Sequence, residues 1–309
     1  MKTLKTAKGL YTYRNDGSPE TFQPLEECQI ETSAGHYTPA YMVEDHGRKK
    51  LSPVKFHKNG MIKTIALQRA QTVRTSVGNF EAELLTFYPD GSLHRLFPLN
   101  GKVSGYWSEN DEYKLAETLT IPTYWGILAV KPINIEFYKT GLLKSLTLWP
   151  GERSTLETPS GEILIRKGVS FYKDGSLHSC EPAVPAEVRT SIGKIWAYDS
   201  DINGLDGSRN SLVFTESGEV EALTTTRNEV TLMDDWGFRS TFTPERKSSL
   251  CGENSYRIEP LRISFDENMV TFRKGTRTAG KVHLRSRFTV NPYIPGIPAE
   301  TPDLCSEAG

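Results

Sequence analysis

The chain has 309 residues, a length that suits either two ordinary domains or an extended repeat array. Its 37 lysines and arginines nearly balance its 38 aspartates and glutamates, which excludes the strongly basic surface of a general nucleic-acid-binding protein. No apolar run approaches the ~20 residues of a membrane helix, and no signal-peptide core follows the N-terminal methionine. The cysteines are dispersed without a Cys-x-x-Cys pair, which indicates neither a zinc site nor a disulfide framework. We therefore expect a cytoplasmic protein with no transmembrane segment and no nucleic-acid partner.

A hairpin motif recurs from the N-terminus onwards, and we call its copies the aromatic hairpins. In each copy an aromatic residue lies four positions before a glycine, and Asp or Asn precedes the glycine in four of the six clear copies. Asp-Gly and Asn-Gly tolerate the positive φ of tight hairpin turns, so each copy predicts two antiparallel strands. In chain order the copies are Tyr13-Arg-Asn-Asp-Gly17, Phe56-His-Lys-Asn-Gly60, Phe87-Tyr-Pro-Asp-Gly91, Phe137-Tyr-Lys-Thr-Gly141, Phe171-Tyr-Lys-Asp-Gly175, Phe214-Thr-Glu-Ser-Gly218 and a degenerate seventh, Phe265-Asp-Glu-Asn268.

The repeat assigns inward and outward positions along each aromatic hairpin. Apolar residues recur six and four positions before the glycine, and again two and five positions after it. The step of three after the glycine breaks the strand period of two, which predicts a β-bulge or corner. The third position after the glycine changes its charge from copy to copy and is predicted to face outward. Its residues are Glu20, Lys63, His94, Lys144, His178 and Glu221.

A second hairpin, which we call the Thr hairpin, alternates with the first up to about residue 240. Its pattern is apolar-x-Thr-x-x-Gly-x-apolar. The copies begin at Ile30, Val73, Ile121, Leu156 and Val188, with a degenerate sixth at Leu232. The spacing between units varies mainly through two inserts, at residues 99–114 and 199–210.

These patterns predict an all-β fold. No long stretch carries apolar residues at helical spacing, and turn signals recur about every dozen residues. We expect repeated antiparallel β-hairpins that form an elongated twisted sheet or a β-solenoid. Residues 1–254 would form the array and residues 255–290 an atypical β cap, with strands at 261–265 and 282–288. Residues 291–309 are proline-rich and are predicted to be extended or disordered.

The hairpin Phe-Tyr-x-Asp-Gly-x-Leu, present at Phe87 to Leu93 and at Phe171 to Leu177, resembles the variant class of MORN repeats. The resemblance extends over about residues 10–240 through this short motif. It implies stacked β-hairpins and a role in binding or scaffolding.

The repeat register also interprets the residues that would attract a catalytic hypothesis. His94 and His178 occupy the outward position that Lys or Glu fills elsewhere, so we expect surface side chains. His57 flanks a turn and is interpreted in the same way. Cys180 occupies an apolar position and is predicted to be a buried, inert thiol.

The insert at 199–210 contains the one candidate metal site. Asp199, Asp201 and Asn203, followed by Gly204, copy the first half of a calcium-binding loop, in which oxygen ligands alternate along the chain. The twelfth position is Asn210 instead of the bidentate glutamate, and no helical pattern flanks the loop. The alternative is a polar, turn-rich insert between two strands. No other cofactor is indicated.

No catalytic signature stands out. The chain has no Gly-x-Gly-x-x-Gly after a strand, no phosphate-loop lysine motif, no His-Glu-x-x-His and no Gly-x-Ser-x-Gly. We expect a non-enzymatic protein-binding or scaffold protein with a protein partner that the sequence does not identify. The alternative is a hydrolase acting on an extended polymer such as a glycan, which needs two carboxylates facing each other across a groove. A pocket lined by carboxylates with perturbed pKa values would favour the enzyme, and an exposed apolar patch would favour the scaffold.

Overall fold

The computed structural model describes residues 7–42, 52–100, 108–200, 206–233, 239–248 and 256–295. The chain divides into two compact units. The first comprises Met1–Ser154, Lys167–Ser176 and Asp206–Ser208, and the second Thr155–Arg166, Leu177–Leu205 and Arg209–Gly309. The helix found in the described ranges has seven residues, and no described helix is long and apolar enough to cross a membrane.

Nearly every described element is a strand. Up to residue 154 the elements are β1 (Gly9–Tyr13), β2 (Pro19–Pro24), β3 (Ile30–Thr32), β4 (Gly35–Tyr37), β5 (Val54–Phe56), β6 (Ile62–Thr75), β7 (Gly78–Phe87), β8 (Leu93–Phe97), α1 (Glu109–Leu115), β9 (Leu119–Thr123), β10 (Gly126–Val130), β11 (Pro132–Phe137) and β12 (Leu143–Leu148). The later elements are β13 (Ser154–Thr158), β14 (Gly161–Phe171), β15 (Leu177–Pro182), β16 (Ala186–Thr190), β17 (Gly193–Ala197), β18 (Leu212–Phe214), β19 (Val220–Thr225), β20 (Asn228–Met233), β21 (Arg239–Phe242), β22 (Glu245–Ser248), β23 (Tyr256–Glu259), β24 (Leu261–Phe265), β25 (Met269–Lys274), β26 (Arg277–His283) and β27 (Arg287–Pro292).

Each unit is built on an antiparallel sheet of aromatic hairpins. In the first unit the strand order is β1-β2-β5-β6-β7-β8-β11-β12-β14, with β14 joined through residues 168–170. In the second unit the order is β15-β18-β19-β24-β25-β26. Smaller sheets are formed by β3–β4, β9–β10, β16–β17, β22–β23 and β21–β20–β27. The predicted all-β architecture of antiparallel hairpins is confirmed.

The predicted register of the aromatic hairpins is also confirmed. Phe137 pairs with Leu143 and Ile135 with Leu146, and the register shifts between the two pairs. The same shift recurs in the first, second, third and sixth aromatic hairpins, so the step of three is a β-bulge. The degenerate seventh, β24–β25, is paired without a shift. The residues five positions after the glycine are all buried, and they are Phe22, Ile65, Leu96, Leu146, Cys180 and Leu223.

The threonine of each Thr hairpin closes its turn. The Thr123 hydroxyl donates to the carbonyl of Gly126 (2.8 Å) and accepts from the backbone N–H of Trp125 (3.2 Å). Both bonds recur in the other four clear copies. Gly126 has φ +109°, a conformation in which a side chain would be strained. Threonine and glycine are therefore the two residues that this turn requires.

The Thr hairpins are staggered against the aromatic hairpins. The first, second and fourth copies each reach past the next aromatic hairpin along the chain to the turn of the one after it. In the first unit, the Ser33 and Ser76 hydroxyls donate to the carbonyls of Gly91 (2.7 Å) and Gly141 (2.8 Å). In the second unit, Pro159 lies 3.2 Å from the position that a Cβ on Gly218 would occupy. At these three turns, two segments far apart in sequence are therefore in contact.

Two parts of the structure differ from the sequence-based expectation. The insert at 99–114 contains α1, which the apolar pattern did not indicate because its signal is a capping box: Ser108 accepts from the Asp111 N–H, and the Asp111 carboxylate accepts from the Ser108 N–H. The single strand predicted at 282–288 was wrong, because β26 ends at His283, whose carbonyl accepts from the Ser286 N–H (3.0 Å) and turns the chain into β27. The predicted strand at 261–265 is β24, which extends the sheet of the second unit by pairing with β19.

The division of the chain at residues 254 and 290 stays a prediction. Within the described ranges, β27 includes Asn291 and Pro292, the first residues of the predicted tail.

Candidate functional site

Side chains next to the aromatic residues connect successive hairpins of the first unit. At this position, three before the glycine, Tyr88 Oη donates to the carbonyl of Phe137 and Tyr138 Oη to that of Phe171, both at 2.9 Å. His57 Nε2 lies 2.9 Å from the carbonyl of Phe87. His57 is therefore a half-buried link between hairpins, in contrast to the surface side chain that was expected.

A charged cluster lies on the face of the first unit's sheet that the register predicts to be outward. Glu136 is buried, and its carboxylate accepts from Lys144 Nζ (2.7 Å), Arg95 Nη2 (3.1 Å) and Ser145 Oγ (3.2 Å). His94 Nε2 is 3.1 Å from the same carboxylate, and its ring packs on Tyr88. His94 is thus half-buried and bonded, in contrast to the surface side chain that was expected.

This cluster holds Glu136 in its ionised form. Burial alone would raise the pKa of the carboxyl, but the hydrogen bonds from His94 and Lys144 and the charge of Arg95 lower it to about 2. A carboxyl that stays ionised down to that pH has no proton to donate at neutral pH, so Glu136 does not qualify as a general acid. The cluster is an ion-pair network that joins neighbouring hairpins.

Cys180 and His178, the other two residues that could suggest a catalytic role, lie in the second unit. Cys180 is fully buried, and burial raises the pKa of its thiol, as the register predicted for an inert core cysteine. His178 is half-buried, and burial lowers its pKa against the opposing effect of the Glu221 charge. Cys180 is therefore the buried residue that was expected, whereas His178 is less exposed than its outward position suggested.

The insert at 199–210 is described only in part. Asp201 and Asn203 of the candidate calcium loop lie outside the described residues. The Asp199 carbonyl accepts from Arg166, and the Asn210 amide donates to Ser179 Oγ (2.8 Å). The twelfth loop position is thus bonded to β15.

The end of the same insert forms an ordinary turn. The Asp206 carboxylate accepts from the backbone N–H (3.0 Å) and the hydroxyl (2.7 Å) of Ser208, as Asp90 does with Ser92 in the third aromatic hairpin. Gly207 donates to Thr147 Oγ1 (3.0 Å). Across the described ranges no three His, Cys, Asp or Glu side chains form a group that could hold a metal ion. Calcium binding through Asp199, Asp201 and Asn203 stays a prediction.

The third Thr hairpin, β9–β10, presents an apolar surface where its counterparts are polar. Pro122 and Ile127 are paired with each other across the two strands. Their neighbours Ile121 and Leu128 are buried, and because side chains alternate between the faces of a strand, Pro122 and Ile127 share the outer face of the hairpin. The equivalent pairs in the other copies are Glu31 with His36, Arg74 with Asn79, Glu157 with Glu162, and Arg189 with Lys194.

Two further side chains extend this surface. Tyr124, at the turn, is 79% exposed and Ile127 is 71% exposed. Leu142 of the fourth aromatic hairpin is exposed beside them and lines the same groove as Pro122 and Tyr124. We call Pro122, Tyr124, Ile127 and Leu142 the apolar face. Sequence reasoning missed it, although a comparison of the outward positions of the Thr hairpins would have indicated it.

The groove beside the apolar face encloses about 290 Å³. Its walls come from the second and third Thr hairpins and from the fourth and fifth aromatic hairpins, all in the first unit. Lys173 and Asp174 lie at its margin, and Val77, Tyr124 and Leu142 supply apolar lining. This is space for one or two side chains, at the lower limit of small-molecule sites, which occupy about 300–1,000 Å³.

A larger groove of about 990 Å³ lies within the second unit. It is formed by the fourth and fifth Thr hairpins with the sixth and seventh aromatic hairpins. Four carboxylates line it, from Glu219, Glu221, Asp266 and Glu267, together with Arg189. The groove is thus polar and mainly acidic, unlike the smaller one.

Comparison with known proteins does not assign the chain to a protein family, so its structural class is defined by its own geometry. No family model matches the chain, no curated protein matches its sequence, and no solved structure matches its fold. The described residues define an all-β protein built from two alternating kinds of antiparallel hairpin.

Proposed function

We propose that this protein is a non-enzymatic scaffold that binds a partner protein through the apolar face. The observation that carries the proposal is the departure of one hairpin from its own repeat. Positions that hold charged or polar side chains in the other Thr hairpins hold Pro122 and Ile127 in the third, and Tyr124 stands beside them.

The energetics support a protein partner. Full burial of a large apolar side chain contributes about 1.5–3 kcal/mol, so the apolar face offers several such contributions that remain unused in the free protein. Tyrosine is among the residues most enriched at the energetic centres of protein interfaces. The adjoining groove accommodates an apolar side chain of the partner between Tyr124 and Leu142, with Lys173 and Asp174 at a polar margin.

The proposal includes the kind of protein that the repeats suggest. We regard the aromatic hairpins as MORN-like repeats and the protein as a cytoplasmic scaffold with a protein partner. Supporting this are the regular hairpin register and the assignment of Glu136 and Cys180 to structural roles.

The test replaces the apolar face with the polar pattern of the fifth Thr hairpin. The variant carries Pro122→Arg, Tyr124→Ser and Ile127→Lys, residues that the same turn geometry accepts at 189, 191 and 194. The matched control, Arg189→Glu with Lys194→Glu, changes the same positions of the fifth copy. Both are compared with the unmodified chain in quantitative affinity capture from native extract.

We expect a protein that the unmodified chain and the control retain and that the variant loses. With that protein purified, titration calorimetry should give at least a tenfold weaker Kd for the variant, about 1.4 kcal/mol. Capture of the same proteins in equal amounts by all three chains would refute the proposal.

The second candidate function is a hydrolase acting on an extended polymer such as a glycan. The observation that favours it is the acidic groove of the second unit, which is about 990 Å³ in volume and is lined by four carboxylates, the kind of group that such a reaction uses. Release of reducing ends from a panel of soluble polysaccharides tests it. Turnover that is abolished by Glu221→Gln and by Glu267→Gln, and retained in Glu162→Gln at an exposed position, would establish it; no turnover on any substrate removes it.

A further inference from the structure

The third Thr hairpin has an edge whose backbone groups point into solvent. Pro122, which has no N–H, is paired with Ile127, so the two form a non-hydrogen-bonded pair whose backbone groups point out of the hairpin. Because pairs alternate along an antiparallel ladder, Ala129 also directs its N–H and C=O outward. In the part of the chain that the structure describes, β10 pairs only with β9, and both Ile127 and Ala129 are exposed. We call the outward backbone groups of these two residues the β10 edge.

The β10 edge is uncovered because this hairpin extends two residues further than its counterparts in the first and fourth copies. In those copies the N–H eight positions after the glycine of the following aromatic hairpin donates to the carbonyl three positions after the glycine of the Thr hairpin. These bonds join Gln68 to Thr38 (3.1 Å) and Ala183 to Leu164 (2.7 Å). In the third copy the corresponding donor, Trp149, reaches Lys131 (3.2 Å), five positions after the glycine. The covering segment is thus displaced by about 7 Å along the strand, which leaves Ala129 uncovered.

The other copies show what occupies the position equivalent to Ala129. In the first copy it is Thr38, whose carbonyl bonds with β6, and the next residue, Pro39, forms an antiparallel bridge with the same strand. In the fifth copy it is Trp196, whose N–H donates to the Asn228 side chain (2.8 Å). An antiparallel strand is therefore an occupant that this position already accepts within the protein.

The β10 edge also lacks the side chains that usually prevent strand pairing. Exposed edges are typically protected by charged side chains or by proline, and the outer edge of β9 has Pro122. The equivalents of Ile127 and Ala129 in the other clear copies include at least one polar or charged residue. They are His36 with Thr38, Asn79 with Glu81, Glu162 with Leu164, and Lys194 with Trp196. Of the two edges of the third hairpin, the β10 edge is thus the one that can receive a further strand.

We propose that an extended segment of the partner protein pairs in antiparallel fashion with the β10 edge. This rests on the proposed function, because it specifies how the partner of the apolar face is held. Two residues of the segment, separated by one other, exchange N–H···O=C bonds with Ile127 and Ala129, and their side chains lie on the outer face of the hairpin. The residue opposite Ile127 is apolar, and the one opposite Ala129 is large, since alanine leaves space there. The paired segment is short, because the N–H of Lys131 donates to the Glu152 carboxylate (3.2 Å) and its carbonyl is occupied by Trp149.

The first experiment measures peptide binding to the unmodified full chain by fluorescence polarisation. The probes are fluorescein-labelled heptapeptides Lys-Thr-Φ-Thr-Φ-Thr-Lys, in which Φ is Val, Leu, Phe or Tyr. The best binder is remade with N-methyl groups either on both Φ nitrogens or on the Thr nitrogen between them. Antiparallel pairing directs the Φ nitrogens towards β10 and that Thr nitrogen away from it. We expect the first form to bind about tenfold more weakly or worse, and the second within about threefold of the parent peptide.

The second experiment blocks the edge and leaves the apolar face unchanged. Ala129→Pro removes an N–H that points outward, so the β9–β10 ladder is retained. The matched control, Thr120→Pro, lies at the residue paired with Ala129 and removes the outward N–H of β9. Peptide binding should weaken by about tenfold or more in Ala129→Pro and stay unchanged in Thr120→Pro. The same two variants are added to the affinity capture described for the apolar face, in which Ala129→Pro should lose the partner.

The inference is wrong if no peptide binds the unmodified chain with a Kd below about 1 mM, if both N-methylated forms bind alike, or if Ala129→Pro binds like Thr120→Pro. Because the N-methylated peptides are tested on the unmodified chain, misfolding of a variant cannot produce the expected pattern. A partner that Ala129→Pro retains and the polar variant of the apolar face loses would contradict strand pairing while the proposed function stands. A partner that both variants retain would refute the proposed function itself.

Discussion

Replacement of Glu136 by glutamine should make the stability of the protein less dependent on pH. The folded state lowers the pKa of this carboxyl from 4.5 to about 2, and each pH unit corresponds to about 1.4 kcal/mol, so the ionised carboxylate contributes about 3 kcal/mol. Because the unfolded chain takes up the proton first as pH falls, this stability is fully present above about pH 4.5 and is lost as the pH falls towards 2. By pH 3 about 2 kcal/mol of it should be gone.

The assay is urea unfolding of the unmodified chain and of Glu136→Gln at a series of pH values from 7 to 3. At neutral pH the variant should be less stable by about 3 kcal/mol, since Arg95 and Lys144 keep their charges without a counterion. The difference between the two chains should shrink as the pH falls, which isolates Glu136 from every other group that titrates. Glu162→Gln, at an exposed position of β14, is the control and should follow the unmodified chain at every pH. A difference for Glu136→Gln that stays constant between pH 7 and pH 3 would refute the reasoning.

Two predictions concern the bonds that repeat along the array. Tyr138→Phe removes the hydrogen bond to the Phe171 carbonyl while it keeps the ring, and should lower the free energy of unfolding by about 1 kcal/mol; an unchanged urea midpoint would mean that the link between hairpins is not stabilising. Thr123→Val deletes both turn bonds of the third Thr hairpin and should cost about 1–2 kcal/mol, whereas Thr120→Val, at an exposed position of the same strand, should cost less than about 0.5 kcal/mol. Equal effects of the two threonine substitutions in thermal unfolding would contradict the role assigned to the hydroxyl.

The fold could be predicted where the information is local. The spacing of apolar residues around each glycine specified the inward positions, the bulge and the burial of Cys180, because strand direction and turn geometry depend on neighbours in sequence. The helix α1 was not predicted, because it interrupts the repeat and its signal is the capping residue Ser108, which the spacing of apolar residues does not reveal.

The Glu136 cluster could not be predicted in the same way. Its members come from two successive aromatic hairpins, and only the strand order brings Arg95 and His94 beside Glu136. The repeat register describes each hairpin separately, whereas the partners of a charged outward side chain lie partly on the neighbouring hairpin of the sheet. The apolar face is different, because its signal is present in the sequence but is visible only when the outward positions of the Thr hairpins are compared with one another.

The stagger between the two kinds of hairpin has a consequence for synthesis. Ser33 and Ser76 find their acceptors 58 and 65 residues further along the chain, so in a chain emerging from the ribosome these two bonds cannot form until the following two aromatic hairpins have been made. Completion of these contacts in the first unit must therefore lag behind translation by about two hairpins. A chain truncated directly after the first or the second Thr hairpin should lack this bond and be more open to proteases at that turn, even though the residues of the hairpin are all present.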